Sequence, residues 1–278
     1  MRFLLRYGEI GIKSRKVRAR FEHRLVENVK SMLLRAGVEG LVSKEGDRIF
    51  LVCDDTNDNV CERILGHMFG IVSFSKVSSV SSSDVEEISG YVCGLASKWG
   101  GGSFAVRCRR VGTHGYTSMT AAARIGERVL DANPSLKVKL RGPDHEIFIE
   151  IRHGSSYIYM DVTDGPGGMP VGTAGRVAAF VMDREDALAA WLMMKRGCMP
   201  LLMGDKNIIE GCLLAWLPGL KFYENLPIER LIAYAEHVLV SKERDVKKME
   251  KPDGYTIFYP MAALMDEDVD MMIESMMA

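Results

Sequence analysis

The stretch best suited to chemistry covers residues 161–197, which read DVTDGPGGMPVGTAGRVAAFVMDREDALAAWLMMKRG. Residues 165–175 hold seven glycines and prolines, a density that helices and strands do not tolerate, so we expect a shaped loop there. The apolar run that follows predicts a strand over residues 177–181 and then a helix that Asp183 opens. Nucleotide phosphates commonly bind at such a strand-to-helix turn, because backbone N–H groups and the helix N-terminus attract anions.

The residues inside this turn have the wrong charge for a phosphate. Asp183, Glu185 and Asp186 stand in the turn, and no glycine there lets the backbone approach a ligand closely. Because three carboxylates repel a phosphate, we expect the site to be altered or lost. The same acids could ligate a metal ion, but helix starts favour acidic residues in any case, and we favour a capping role.

Two clusters of basic residues predict a second kind of site, a footprint on the phosphates of a nucleic acid. Residues 1–40 contain ten basic and four acidic residues, and a second basic set lies in and after a strand over residues 104–110. One cluster alone is as often a solvated helix face, but two favour a phosphate backbone as partner. His114 and Tyr116 are placed to stack on an unpaired base; the alternative is a turn histidine and a packed tyrosine. The candidate RNA-binding residues are Lys13, Arg15, Lys16, Arg18, Arg20, Arg107, Arg109, Arg110, His114, Tyr116, Lys137, Lys139 and Arg141.

The six cysteines are scattered and include no C-x-x-C pair, so we expect neither a disulfide scaffold nor a metal cluster. Cys198 and Cys212 are the two cysteines of the last predicted domain, and a persulfide relay within that domain would have to use one of them. Both lie in apolar contexts, and we therefore favour packing in the core.

Composition excludes several classes of protein. With 47% hydrophobic and 26% charged residues the chain is not disordered, and no run reaches the ~18 apolar residues of a membrane span. No signal peptide opens it, so we predict a cytoplasmic protein without a membrane partner.

Charge is distributed unevenly along the chain. Residues 1–175 carry 24 basic and 20 acidic residues, whereas residues 176–278 carry 12 basic and 17 acidic residues, so any surface that binds nucleic acid is expected in the first part.

The elements predicted for residues 2–77 follow the order strand, helix, strand, strand, helix, strand of a ferredoxin-like arrangement. Their hairpin turns at residues 45–47, and Thr56 or Asn57 caps the second helix. The serine run over residues 78–83 is predicted to be a linker.

The middle of the chain is predicted to continue with mixed helices and strands. A helix over residues 84–99 is capped by serine or aspartate, and a second helix, up to residue 130, is capped by Thr117 or Ser118. Between them, the strand over residues 104–110 alternates apolar and basic side chains, so it has one apolar face and one face with Arg107 and Arg109.

The run GPGGMPVGTAGRV, followed by LMMKRG, resembles the tRNA 4-thiouridine synthases, also called tRNA sulfurtransferases. Earlier segments match the first two domains of that family: RYGEIGIKSRKVRARFE, FGIVSFSKV, FAVRCRR and the TSM helix start. The resemblance covers residues 2–197. It implies a ferredoxin-like domain, a THUMP domain that binds RNA, and a pyrophosphatase-type loop that adenylates the uridine at tRNA position eight before sulfur transfer.

The resemblance also assigns positions at the turn. The family has a serine, two glycines, an aliphatic or aromatic residue, an aspartate and a serine. Counted back from LMMKRG, Val181 falls on the first serine, Met182 and Asp183 on the glycines, Glu185 on the aspartate and Asp186 on the last serine. A one-residue deletion on the strand side shifts these pairings by one, and on either pairing the phosphate nest is gone.

The partners implied by the resemblance are tRNA, ATP, and a sulfur donor or catalytic partner protein. Because the turn contradicts phosphate binding, ATP is expected from the resemblance only. The backbone at the strand ends, near Phe180, Val181 and Gly204, is the candidate slot for an adenine base without its phosphates.

We therefore predict an α/β and α+β multidomain protein. Its parts are a ferredoxin-like domain (1–77), a THUMP domain (78–164), a Gly/Pro-rich connector (165–175) and a small Rossmann-like parallel-sheet domain (176–278). In the last part strands are predicted over 199–203, 220–223 and 255–259, and helices over 208–216, 228–238 and 266–276.

The predicted function is that of a tRNA-binding protein of the 4-thiouridine synthase type whose ATP chemistry is impaired or lost. The alternative is a non-catalytic RNA-binding protein whose C-terminal domain binds a partner or another copy of itself. Residues 253–278 contain six acidic, no basic and six methionine residues, which suits a homo-oligomer interface or a cover for the edge of the sheet.

Overall fold

The computed structural model describes residues 1–112, 115–216, 219, 221–248 and 253–277. Its internal contacts divide the chain into two units. The first unit comprises Met1–Leu4, Lys44–Val52 and Phe74–Thr163. The second comprises Leu5–Ser43, Cys53–Ser73 and Asp164–Ala278. The α/β and α+β fold class is confirmed, while the exact domain boundaries stay predictions.

The N-terminal region forms a ferredoxin-like domain, as its order of elements predicts. The elements are β1 (Arg2–Arg6), α1 (Arg15–Arg35), β2 (Gly40–Glu45), β3 (Arg48–Cys53), α2 (Asp58–Gly66) and β4 (Ser73–Lys76). The sheet has the order β4-β1-β3-β2, and a two-residue strand, β10 (Thr163–Asp164), extends it beside β4. Asn57, one of the two residues predicted to cap α2, stands at its N-cap position. The Asn57 side chain makes no capping bond, and Asp54 instead caps a short 3₁₀ turn by accepting from the Thr56 N–H at 2.9 Å.

A second sheet makes up most of the first unit. Its elements are β5 (Ser78–Val80), α3 (Val85–Ala96), β6 (Gly102–Val111), α4 (Ser118–Ala132), β7 (Leu136–Val138), β8 (His145–Arg152) and β9 (Ser155–Tyr159). The strand order is β5-β9-β8-β6-β7. Strand β6 runs parallel to both of its neighbours, whereas β9 is antiparallel to β8 and β5. The predicted caps are confirmed, because Asp84 accepts from two N–H groups at the start of α3 and Thr117 accepts from the Thr120 N–H at the start of α4.

The linker predicted over residues 78–83 is partly wrong. Ser78–Val80 forms strand β5, in which Ser78 pairs with Ile158 and Val80 with Ser156. The physical reason is that the far edge of β9 leaves backbone N–H and C=O groups that need partners. Serine is tolerated on such an edge strand because its side chains are only half-buried or exposed.

The C-terminal part of the second unit is a parallel sheet. Its elements are β11 (Arg176–Val181), α5 (Arg184–Lys195), β12 (Met199–Gly204), α6 (Lys206–Leu213), α7 (Ile228–Tyr234), β13 (Val238–Val240), β14 (Thr256–Phe258) and α8 (Asp266–Met277). The strand order is β12-β11-β13-β14, and every pair is parallel. Residues 165–175 form no helix or strand, as predicted.

Two predictions in this sheet are wrong. The helix predicted to reach residue 238 ends at Tyr234, because Glu236 and His237 adopt left-handed φ angles of 57° and 63°, and the chain then enters β13. No glycine marks this reversal in the sequence. The strand predicted over 220–223 is reduced to a single bridge between Leu202 and Phe222; Leu220 lies outside the described residues.

Both faces of the parallel sheet are covered. On β11, Val177, Ala179 and Val181 face a core that includes α5, α6 and α8. Ala178 faces the opposite way, against the α7 side chains Leu231 and Ile232. Burying one large aliphatic side chain of this kind contributes about 1.5–3 kcal/mol, so each face is held mainly by packing.

A buried ion network stabilises the first unit. The Glu150 carboxylate accepts hydrogen bonds from Arg152 Nε at 2.8 Å and Arg48 Nε at 3.2 Å, and from the Tyr159 hydroxyl at 3.3 Å. Arg152 also pairs with Asp47. The side chains of Glu150 and Arg152 are only 4% and 3% exposed, so Glu150 is the buried one of the two carboxylates that pair with the Arg152 guanidinium.

We expect Glu150→Gln to destabilise the protein by about 3 kcal/mol, because it keeps the shape but removes the buried carboxylate that pairs with Arg152 and leaves the half-exposed Asp47 as its described partner. Urea denaturation followed by circular dichroism measures this change. The matched control is Glu86→Gln, which breaks exposed pairs with Arg124 and Arg128 and is expected to cost less than about 1 kcal/mol. Equal losses in the two variants would contradict a special role for the buried pair.

Candidate functional site

The parallel sheet contains a topological switch point. From β11 the chain goes to β12 on one side, and it later returns to β13 on the other side of β11. In open parallel sheets such a reversal leaves a crevice at the carboxyl ends of the two strands, and ligands bind there. The residues at this crevice are Met182 and Asp183 after β11, and Ser241 and Lys242 after β13.

Carboxylates of the turn itself occupy its backbone donors. Asp183 caps α5 by accepting from the Asp186 N–H at 3.0 Å, and Asp186 in turn accepts from the Met182 N–H at 3.0 Å. The Glu185 N–H is also directed at Asp183. The start of α6 is similar, because Asp205 accepts from the N–H groups of Asn207 and Ile208. The predicted capping role of Asp183 is therefore confirmed.

Lys242 completes an ion cluster at the crevice. Its Nζ contacts Asp183 and lies 3.4 Å from Asp186 Oδ1. Burial alone would raise the pKa of Asp183, but the hydrogen bonds from Lys242 and from the Asp186 N–H outweigh it, and the pKa is lowered. Burial alone would lower the pKa of Lys242, but its contacts with the two aspartates outweigh it, and the pKa is raised. Both groups are charged at neutral pH.

Lys242 is not among the residues predicted from the sequence. The lysine follows β13, a strand that the sequence pattern assigned in part to the preceding helix. Without that strand there was no reason to place residue 242 beside the turn after β11.

This arrangement does not fit a phosphate group. A phosphate nest needs uncommitted N–H groups and net positive charge, whereas three N–H groups of this turn face carboxylates of the turn. Lys242, the cation that contacts the turn from the end of β13, is already held by two of those carboxylates. The residues as they stand therefore lack the donors that a nucleotide phosphate would require.

The three residues of the predicted adenine slot are neighbours in the sheet. Val181 is paired with Gly204, and the Val181 carbonyl accepts from the Asp205 N–H at 2.8 Å. Gly204 has a φ of 131°, and a Cβ there would lie 2.0 Å from the Val181 oxygen, so only glycine fits. The backbone at this point is closed, and the Phe180 side chain, 44% exposed, is the surface that a base would meet. The slot stays a prediction.

Part of the predicted basic set is assembled by the second sheet. Ser103 pairs with Lys137, and residues that pair across strands share a face, so Lys137 lies on the same face as Arg107 and Arg109. Arg107 binds Glu146 at 2.6 Å and donates to the Leu140 carbonyl, whereas Arg109 is exposed.

The other predicted RNA-binding residues are distributed differently. Arg110 faces the opposite side of β6 and donates to the Gly112 carbonyl, while Lys139 and Arg141 are exposed in the segment after β7. Tyr116 packs against the core under the sheet, and its hydroxyl donates to the Ser83 carbonyl. His114 lies outside the described residues. Lys13, Arg15, Lys16, Arg18 and Arg20 lie around the first turns of α1, in the second unit.

The cysteines of the parallel-sheet region are buried. Cys198 and Cys212 are 5% and 4% exposed, and burial raises the pKa of both thiols, which disfavours the nucleophilic thiolate. This agrees with the predicted packing role.

Within the described ranges, no group of His, Cys, Asp and Glu side chains could hold a metal ion. None of the helices among those residues is both long and apolar enough to span a membrane.

Comparison with known proteins gives two family matches. Residues 2–75 match the ThiI ferredoxin-like domain, and residues 83–161 match the THUMP domain. The chain is 38% identical over 249 residues to a probable tRNA sulfurtransferase of Methanobrevibacter smithii, covering 86% of this chain and 61% of that protein. It is 36% identical over 200 residues to a probable tRNA sulfurtransferase of Saccharolobus islandicus, covering 70% of this chain and 52% of that protein. The chain thus spans about half to three fifths of the length of these curated relatives.

Two solved structures have the same fold over almost the full length of this chain. PH1313 from Pyrococcus horikoshii superposes with a TM-score of 0.81 at 27% identity, covering 99% of this chain and 98% of that one. A 4-thiouridine synthetase, crystallised in complex with RNA and bound ATP, has the same fold, with a TM-score of 0.76 at 19% identity, covering 99% of this chain and 84% of that one. This chain is a ThiI-like THUMP protein, in which a ferredoxin-like domain and a THUMP domain precede a parallel-sheet domain.

Proposed function

We propose that this chain binds tRNA through the basic residues of its THUMP domain and of α1, and that its parallel-sheet domain does not adenylate the RNA. The curated relatives are named as probable tRNA sulfurtransferases, and a synthetase of the same fold was crystallised with RNA. The exposed arginine and lysines beside β6 and β7 supply the positive charge that RNA phosphates attract.

The observation that carries the second half of the proposal is the ion cluster at the switch point. ATP, which the fold neighbour binds, would have to place its phosphates where Asp183 and Asp186 hold both the backbone donors and Lys242. Releasing those donors would cost the cap of α5 and leave two carboxylates facing the phosphates. ATP-dependent formation of 4-thiouridine by this chain alone is therefore disfavoured.

For RNA binding, we expect the affinity for tRNA to fall with salt, by about 0.7 to 0.9 log units for each phosphate contact per log unit of salt. Arg109→Glu should reduce the affinity roughly tenfold and make the salt dependence shallower, since Arg109 is exposed and its removal breaks no described ion pair. Filter binding across a salt series measures both quantities.

The matched control for this experiment is Lys98→Glu, which makes the same charge change at an exposed position of the first unit outside the basic set. It is expected to leave the affinity within about twofold, the size of a general charge effect. Absence of tRNA retention at low salt, or equal effects of the two reversals, would contradict the proposed interface.

For nucleotide binding, we expect calorimetry to show no heat for ATP with magnesium at millimolar concentration, with or without tRNA, because the donors at the turn are occupied. Mass analysis of the tRNA is expected to show no added sulfur. Retention of tRNA by the same preparation controls for folded protein. Tight ATP binding together with 4-thiouridine formation by the purified chain would overturn this part of the proposal and leave the RNA part standing.

The ion cluster makes a prediction about pH. The pKa of Asp183 is lower in the folded protein than in the unfolded chain. The ionised carboxylate therefore stabilises the fold at pH values above the unfolded pKa of about 3.9, and this stabilisation is lost as the pH falls through the folded-state pKa. The pKa of Lys242 is higher in the folded protein than in the unfolded chain. The charged amine therefore stabilises the fold at pH values below the unfolded pKa of about 10.4, and this stabilisation is lost as the pH rises through the folded-state pKa. Lys242→Met should therefore lower the melting temperature at pH 7 by about 1–2 °C, and the difference should shrink at both extremes.

Thermal unfolding of both proteins between acid and alkaline pH measures this difference. Lys206→Met is the control, because Lys206 makes only a loose exposed pair with Glu210 at 3.9 Å on α6. That variant should track the unmodified protein at every pH. A loss in Lys242→Met that does not vary with pH would indicate lost packing rather than an ion cluster.

A further inference from the structure

Two buried cysteines of the ferredoxin-like domain have their sulfur atoms in direct contact. Cys53 is the last residue of β3 and is 7% exposed, and Cys61 lies near the start of α2 and is 0% exposed. The Cys61 thiol donates to Cys53 Sγ at a distance of 3.2 Å between the two sulfurs. Because a disulfide bond needs a distance of about 2.05 Å, the two sulfurs have to approach by only about 1 Å.

The two cysteines also lie close together in the chain and in the same unit. Eight positions separate them, and both belong to the second unit. A short 3₁₀ turn (Asp55–Asn57) leads from the end of β3 into α2 and brings the sulfurs together. A bond between them therefore keeps the path of the chain as it is and needs no rearrangement of a distant segment.

The start of α2 is weakly held, which gives an oxidant access to the two sulfurs. Its N-cap residue, Asn57, makes no side-chain hydrogen bond to the first backbone N–H groups, and residues 54–56 before it are exposed. Helix ends without capping partners open more readily than helix interiors. Burial, together with the hydrogen bond to Cys53, raises the pKa of Cys61 to about 12, so this thiol stays protonated while the turn is closed. Oxidation is therefore expected when the turn opens.

We propose that Cys53 and Cys61 are a redox-sensitive pair that hydrogen peroxide converts into a reversible disulfide. In the first step the Cys53 sulfur attacks one peroxide oxygen, the O–O bond breaks, and the released hydroxide takes the thiol proton and leaves as water. Cys53 is then a sulfenic acid. In the second step the Cys61 sulfur attacks the Cys53 sulfur, the S–O bond breaks, and a second water leaves with the Cys61 proton. Two thiols thus lose two electrons and two protons, and one peroxide becomes two waters.

The bond joins the end of β3 to α2 and holds the uncapped helix start in its closed position. The oxidised protein is therefore expected to be more stable than the reduced one, and dithiothreitol is expected to reverse the change. The alternative is a pair of thiols that only fill the core, which peroxide would leave unbridged. The inference is independent of the proposed function in RNA binding.

The first test identifies the bond by mass. The full chain is reduced, treated with hydrogen peroxide, alkylated with iodoacetamide and digested with trypsin. Residues 49–63, IFLVCDDTNDNVCER, form one tryptic peptide that contains both cysteines of the pair and no other cysteine. We expect this peptide to lose two hydrogens, about 2 Da, and to take up no alkyl group, whereas treatment with dithiothreitol before alkylation restores both alkylation sites.

The second test measures stability with matched variants. Peroxide should raise the melting temperature of the unmodified protein by roughly 2–8 °C, and it should slow hydrogen exchange at the start of α2. Cys53→Ser cannot form the bond and should show neither change, although it keeps the 18 methionines that peroxide also oxidises. Cys198→Ser, which removes a buried cysteine of the parallel-sheet region, should behave like the unmodified protein.

The mass measurement needs no variant, so it decides even if Cys53→Ser does not fold. Two alkyl groups on the peptide of residues 49–63 after peroxide treatment would overturn the proposal. Sulfinic acid on either cysteine in place of the lost hydrogens would do the same, and so would an equal rise in melting temperature in Cys53→Ser.

Discussion

The start of α5 needs acceptors for its backbone N–H groups, and this chain supplies them from its own aspartates. The helix begins immediately after β11, the strand that lies between β12 and β13, so its cap sits at the point where the sheet reverses direction. Asp183 and Asp186 satisfy the donors and draw in Lys242, which joins the end of β13 to the same turn. One set of hydrogen bonds thus ends the strand, starts the helix and fills the crevice.

The ion cluster at the switch point and the buried ion network of the first unit differ in how far water reaches their charges. At the switch point the carboxylates are partly exposed, and the pair with Lys242 is screened by water, so it contributes little to stability. In the first unit Glu150 and Arg152 are almost fully buried, and each needs the other because an unpaired buried charge is far more costly. The first cluster lies at the switch point of the parallel sheet, and the second lies in the interior of the first unit.

The sequence by itself determined the parts that depend on neighbouring residues. Helix caps such as Asp84, Thr117 and Asp183, the alternation of basic and apolar side chains on β6, and the ferredoxin-like order of elements all follow from local spacing and were predicted. The lack of glycines in the turn was also readable, and the loss of ATP chemistry that it indicates stays a prediction.

Tertiary structure decided what depends on a distant partner. Strand β5 exists because the free edge of β9, more than seventy residues later in the chain, needs a partner, and its serines alone predict a linker. Strand β13 follows a left-handed reversal at Glu236 and His237, which packing imposes without a glycine to announce it. Lys242 reaches Asp183 only because that strand lies beside β11. Caps and helices depend on residues that are close in sequence, so the sequence predicts them. Strand pairing depends on which distant strand edge has backbone groups that still need hydrogen-bond partners, and only the folded chain decides that.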